Sequence, residues 1–203
     1  MITIINYGMG NLGSVQNMLK RIGVPCEISG DAAVISKAKK ILLPGVGAFD
    51  AAMIKMKESG LKAVLDEKAL NEKVPVLGIC LGMQLLTRSS EEGVQRGLGW
   101  VPAQTLKFNF TAASELKVPH MGWNVTHPKK ASKLTENFSD KTRFYFVHSY
   151  YVKADNAEDV LTTTHHGIDF DSIIQHDNIY GAQFHPEKSH KFGMLLLQNF
   201  AKI

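Results

Sequence analysis

The chain of 203 residues is poor in cysteine, with only Cys26 and Cys80. Two thiols cannot build the disulfide framework of a small secreted domain, so a reduced, cytoplasmic setting is expected. Long apolar runs are lacking too. The longest, Val74–Leu81 (VPVLGICL), is interrupted by Pro75 and Gly78 and falls far short of the ~18 residues a membrane-spanning helix requires. The apolar start has no basic segment ahead of it and no small-residue cleavage site, so no secretory signal is expected. Charge of one sign is also scarce: 23 Lys and Arg against 19 Asp and Glu leave a net +4. The basic clusters, Lys37–Lys40 and Lys129 with Lys130, carry no interleaved aromatics, which argues against nucleic acid as a partner; no membrane partner is expected either. Cys-x-x-Cys and His-x-x-x-His spacings are absent, so no metal site is expected.

What is present suits an ordinary globular chain, 44% hydrophobic and 21% charged, and the length suits one domain over residues 1–203. Its first half alternates strand and helix signals. Ile2–Asn6 is a short run rich in β-branched residues. Val15, Met18, Leu19 and Ile22 then repeat at helical spacing, until Gly23 and Pro25 close the helix. Ile41–Leu43 reads as a buried strand, followed by Phe49, Ala52, Met53 and Met56 on one helical face. Val74–Ile79 is another strand, and Leu81–Arg88 suits a helix. Further on, Leu98–Val101, Gln104–Phe108, Arg143–Val147, Val160–Thr164, Asp171–Gln175 and Ile179–Phe184 read as short strands. A last helix, Ser189–Phe200, turns Phe192, Leu195, Leu196 and Phe200 inward. Strand–helix alternation predicts an α/β fold whose mostly parallel sheet is covered on both faces.

Gly8, Gly10 and Gly13 match G-x-G-x-x-G after a strand, with Glu27 and Asp31 about 20 residues on, the context of a dinucleotide fingerprint. The competing reading is a tight strand-to-helix turn with Asn11 as the helix cap. Stronger chemistry lies elsewhere and favours the turn.

Gly78-Ile79-Cys80-Leu81-Gly82 ends a predicted strand and opens a helix. It is the nucleophile-elbow pattern with cysteine in place of serine. Glycines on both sides permit the sharp turn, and a helix N-terminus beside a thiol favours its anionic form. Cys26 has no such setting. A thiolate needs a base held by a third group, and His185-Pro186-Glu187 supplies both. Pro186 biases His185 to extended backbone, and in an extended segment His185 and Glu187 share one side. The backbone N–H of Leu81 and the turn Gly45-Val46-Gly47 are candidate oxyanion donors.

Taken in this order, the elbow, the glycine turn and the His-Pro-Glu segment resemble the class I glutamine amidotransferases. The resemblance spans the chain and also rests on Tyr7-Gly-Met-Gly-Asn-Leu, Pro119-His-Met-Gly-Trp-Asn, Phe146-Val-His-Ser-Tyr and Gln183-Phe-His-Pro-Glu-Lys-Ser. It implies a three-layer α/β sandwich around a mixed, mostly parallel sheet. The implied activity is hydrolysis of glutamine through a cysteinyl thioester, without a cofactor. Cys80 then corresponds to the nucleophile, His185 to the base and Glu187 to its orienter. Gln84, His148, Ser149 and Tyr150 resemble the glutamine-binding positions.

Within the family, the narrower resemblance is to subunits that pass ammonia to a cyclase of the (β/α)8-barrel type in histidine biosynthesis. It implies a heterodimer docked through Asn11, Met121, Trp123 and Lys188. Thr164-His165-His166-Gly167, Trp100 and His190-Lys191 depart from that narrower pattern. They leave open a paralogous role, service to a synthase amidating bacterial surface sugars.

Overall fold

The computed structural model describes residues 1–110 and 116–203. In its first half β1 (Ile2–Ile5), α1 (Leu12–Arg21), β2 (Cys26–Ser29), α2 (Ala32–Ile35), β3 (Ile41–Gly45), α3 (Phe49–Glu58), α4 (Lys62–Asp66), β4 (Val76–Cys80) and α5 (Leu81–Leu85) follow one another. The second half is richer in strands: β5 (Ala103–Lys107), β6 (His120–Val125), β7 (His127–Pro128), β8 (Arg143–His148), β9 (Tyr150–Ala154), β10 (Val160–His166), β11 (Ile168–His176) and β12 (Ile179–Ala182), closed by α6 (His190–Lys202).

The main sheet runs β2-β1-β3-β4-β12-β11-β10-β7, with β9 and β5 branching from β11. Pairings from β2 through β12 are parallel, and those beyond β12 are antiparallel. Strand alternation sends alternate residues to two cores. Ile5, Ile41, Leu43 and Val76 pack with Phe49, Met53 and Met56 of α3 and Leu65 of α4. Ile2, Ile4, Leu42 and Leu77 pack with Val15 and Leu19 of α1 and Leu196 and Phe200 of α6. Helices on both faces of a mixed sheet make the three-layer α/β sandwich. No helix among the described residues is long and apolar enough to cross a membrane.

Several expected elements come out differently. Leu98–Val101 is not a strand: the amides of Leu98, Trp100 and Val101 donate to the carbonyls of Leu85 and Leu86. The segment satisfies carbonyls that the end of α5 leaves open. The helix itself stops at Leu85 rather than Arg88, where the Thr87 hydroxyl takes the Gln84 carbonyl at 2.8 Å and Arg88 donates to Ala103. Strands β2, β6 and β9 were not foreseen: β2 is half-buried along its length, and the alternating Met121 and Trp123 of β6 are exposed instead of facing a core. On α6 the buried residues are Gly193, Leu196, Leu197, Asn199 and Phe200, so Leu197 takes the inward place expected of Leu195, while Phe192 is half-buried.

Candidate active site

Parallel strands β3, β4 and β12 lie side by side, and their C-terminal ends create the site, where open α/β sheets commonly bind ligands. Cys80 ends β4 with φ 54° and ψ −111°, a conformation that costs a non-glycine residue of order 1–3 kcal/mol. The flanking glycines make this turn feasible: a Cβ on Gly82 would stand 1.8 Å from the Leu43 carbonyl oxygen, and one on Gly78 would stand 2.7 Å from Gly82. Cys80 pairs in register with Gly45 at the end of β3, which brings the Gly45–Gly47 turn beside the thiol.

His185 follows β12. Its backbone N–H donates to Tyr145 at 2.9 Å, and its carbonyl accepts from the Ser189 hydroxyl at 2.6 Å. The side chain bridges the other two residues of the expected triad. Nδ1 faces Glu187 Oε1 at 2.8 Å, which leaves Nε2 as the ring nitrogen available to Cys80. Burial alone would lower the His185 pKa, but the hydrogen bonds with Cys80 and Glu187 outweigh it and push it up to about 10. One detail differs from the sequence-based expectation. His185 is extended, but Pro186–Lys188 forms a 3-10 turn. Glu187 therefore reaches the imidazole by the chain turning back, not by strand alternation. Helix α6 packs close on this turn, where a Cβ on Gly193 would stand 1.8 Å from the Pro186 carbonyl oxygen.

A cavity of about 450 Å³ opens over Cys80 and His185, lined by Val46, Gly47, Leu81, Gln84, Glu92 and Lys188 and walled by Val147–Tyr150. All the expected glutamine-binding residues, Gln84, His148, Ser149 and Tyr150, thus face one space. Gln84 Nε2 donates to the Tyr150 carbonyl at 3.0 Å and to Gln183 Oε1 at 3.2 Å. Of the expected oxyanion residues, Val46, Gly47 and Leu81 line the cavity, and Gly45 lies one position back in β3.

Three residues near the site escaped the sequence reading. Gln183 Nε2 approaches Cys80 Sγ at 3.9 Å; its place two residues before His185, at the end of the expected strand, was the available signal. The Tyr7 hydroxyl donates to the Pro44 carbonyl at 3.0 Å, under the glycine turn. Burial, with Cys80 nearby, holds its pKa well above the usual phenol value. Glu92 lines the cavity while its Oε2 accepts from the Phe49 N–H at the start of α3, a role no local pattern announces.

The rejected fingerprint has a simple explanation. Gly8 and Gly10 have φ of 85° and 102° and are needed for the turn, whereas a Cβ on Gly13 would meet nothing within 4 Å among the described residues. The third glycine of a dinucleotide fingerprint serves close helix–strand packing, and Gly13 has no such task. Glu27 accepts a hydrogen bond from Thr3. Asn11 does stand at the helix start, but its side chain makes no capping hydrogen bond.

The family model for glutamine amidotransferase class-I matches residues 3–203. The chain belongs to the class I glutamine amidotransferase family. A relative from Methanococcus maripaludis, imidazole glycerol phosphate synthase subunit HisH 2, is 53% identical over 100% of this chain and 99% of its own length. A Pseudomonas aeruginosa protein of the same name and the Bdellovibrio bacteriovorus subunit HisH are each 45% identical, over the full length of both chains. Among solved structures, a glutamine amidotransferase from Thermotoga maritima superposes with a TM-score of 0.65 at 16% identity, covering 99% of this chain and 82% of that one. The structure of PurLQS from Thermotoga maritima gives 0.70 at 16% identity, covering 99% and 97%.

The residues expected to dock a partner of this amidotransferase are all exposed, including Asn11 and Lys188. Met121 and Trp123 are 63% and 44% exposed on one side of β6, so Trp123 is not core packing. Its ring stacks on His190 at 5.6 Å, and Lys188 lies over the Tyr145 ring at 5.7 Å. Trp100, by contrast, is buried and donates to Asp66 at 2.8 Å.

Proposed function

We propose that this amidotransferase is the glutaminase subunit of an imidazole glycerol phosphate synthase, acting in the cytoplasm and passing ammonia to a cyclase subunit of (β/α)8-barrel form. The observation that carries the reading is full-length similarity to subunits of that name, joined to a Cys–His–Glu constellation over a cavity. In the proposed cycle His185 holds the proton it shares with Cys80, and the sulfur attacks the amide carbon of glutamine. The Leu81 amide and the Gly45–Gly47 turn hold the oxyanion. The imidazolium protonates the departing ammonia, and water then releases glutamate from the thioester. Glu92 is the carboxylate among the cavity-lining residues and suits the substrate's α-ammonium. Ser149 and Tyr150 offer backbone groups to the rest of the amino-acid head.

Met121 and Trp123 would meet the cyclase beside the cavity mouth, with Asn11 and Lys188 completing the contact. Free hydrolysis wastes glutamine, so turnover should be low until partner and acceptor are bound. A second reading, service to a synthase amidating surface sugars, is favoured by Thr164–Gly167 and His190-Lys191. One experiment separates the two: glutamate release with and without the cyclase and its phosphoribosyl acceptor, with Cys80→Ala in parallel. Stimulation abolished by Cys80→Ala supports the synthase reading. Cysteine-dependent hydrolysis indifferent to the cyclase favours the second. Activity indifferent to Cys80 overturns the mechanism.

A further inference from the structure

Strands β6 and β8 pair with His120 directly opposite His148. His148 begins the turn through Ser149 and Tyr150 that walls the cavity. We propose that His120 is a positioning residue: it donates its Nδ1 hydrogen to His148 Nε2 and thereby fixes His148 in the tautomer that holds the Tyr150 carbonyl in the cavity wall.

The hydrogen-bond partners leave one arrangement of protons. His148 Nδ1 lies 2.7 Å from the Tyr150 carbonyl oxygen, which only accepts, so this nitrogen carries hydrogen. In a neutral ring Nε2 is then an acceptor, and His120 Nδ1 at 2.9 Å must donate to it. His120 Nε2 accepts in turn from Asn124 Nδ2 at 3.1 Å. That amide is oriented by its second hydrogen, donated to the His165 carbonyl at 2.9 Å, and by its oxygen, which accepts from the Val125 N–H. A proton added to either imidazole would set two N–H groups against each other.

The surroundings favour the neutral pair. Phe108, Phe146 and Phe170 pack around both rings, and His166 stacks on His120 with ring centroids 4.3 Å apart. Burial, reinforced by the neighbouring imidazoles, lowers the His120 pKa to about 4 and the His148 pKa to about 3. In such low-dielectric surroundings an unmatched polar group is costly, so a matched chain is held firmly. The chain ends at the catalytic constellation: the Tyr150 carbonyl also accepts from Gln84, Gln84 donates to Gln183, and Gln183 approaches Cys80.

The kinetic consequence rests on the glutaminase reading; the tautomer does not. Nitrogen-15 NMR of the histidine-labelled full chain at pH 7 should show both His120 and His148 neutral with hydrogen on Nδ1. Hydrogen on Nε2 of either ring overturns the proposal, whatever the substrate. In the synthase complex, His120→Phe should raise KM for glutamine about tenfold, the size of one lost buried hydrogen bond, with kcat within about twofold. His120→Asn, whose amide nitrogen takes the place of Nδ1, should recover most of the KM and the His148 tautomer. An unchanged KM in His120→Phe, or no recovery in His120→Asn, also overturns it. A complex that hydrolyses no glutamine counts against the glutaminase reading alone, since the NMR result still decides the tautomer.

Discussion

Replacing Glu187 by glutamine preserves size and removes one charge at the point where the imidazole is held. The His185 Nδ1 to Glu187 Oε1 distance is 2.8 Å, and the two side chains are 4% and 2% exposed, so solvent does little to screen the interaction. The substitution also has room. Glu187 Oε2 is buried without a hydrogen-bond partner among the described residues, and Glu187 borders a space of about 270 Å³ lined by Ser14, Asn17, Met18 and Arg21. A hydrogen bond to a charged group is worth about 1.5–3 kcal/mol. Losing that stabilisation of the imidazolium in the transition state corresponds to about 10- to 150-fold in kcat. Removing the carboxylate also lowers the His185 proton affinity, which Glu187 and Cys80 together hold at about 10, so the basic limb of the rate profile should shift to lower pH. The assay is glutamate release by the stimulated complex at saturating glutamine across the pH range. A kcat within about twofold of wild type, with the basic limb unmoved, would refute the role assigned to Glu187.

Acid should destabilise the fold through His120 and His148. Both are depressed in the folded state, to about 4 and about 3, so unfolding takes up protons as pH falls below the ordinary histidine value of about 6.5. Tm should decline from there toward pH 4, and a flat Tm would contradict the buried neutral pair. Gly82→Ala should abolish turnover and lower stability in a urea titration, because its Cβ would overlap the Leu43 carbonyl. Gly13→Ala, inside α1 with nothing within 4 Å of the new Cβ, should instead stabilise by about 0.5–1 kcal/mol; loss of stability there would show that Gly13 has a packing task. Gly47 sits at φ 101°, which proline cannot adopt, so Gly47→Pro should reduce stimulated glutamine turnover. Retention of full stimulation would count against this turn as the oxyanion switch.

The parallel half of the fold, β2 excepted, was readable where a strand or helix presents one period. Ile41–Leu43 is buried on both faces, and Phe49, Ala52, Met53 and Met56 mark a single helical stripe. Strands β6 and β9 were missed for another reason. His120–Val125 has one fully buried residue, and its placement depends on pairing with β8, a contact between strands distant in sequence. Leu98–Val101 failed in a different way. Its apolar residues are indeed buried, but its amides are committed to the open end of α5, which residue type alone does not reveal. The site followed the same division. Cys80 and His185 were legible from motifs whose glycines and proline constrain local backbone. Tyr7, Glu92 and the His120–His148 pair were not, since each acts through a hydrogen bond to a distant segment.

That division has a physical basis in how the site is assembled. Local sequence fixes the elbow, since only glycine at Gly78 and Gly82 admits the φ of 54° at Cys80 without backbone overlap. Pro186, at the first position of the 3-10 turn, favours the bend that swings Glu187 back to His185. Bringing these two pieces together requires β4 and β12 to pair in parallel, with Gly181 opposite Gly78 and Ala182 opposite Ile79. That register places the chain leaving β12 beside Cys80. The strand order in turn depends on the two cores that α1 with α6 and α3 with α4 complete on opposite faces. A strained backbone at Cys80 is tolerable under these conditions because both faces of its strand are buried and both its neighbours are paired. The about 1–3 kcal/mol stored at Cys80 is small beside what the two cores contribute, so the strain stays in the Cys80 backbone instead of relaxing into the sheet.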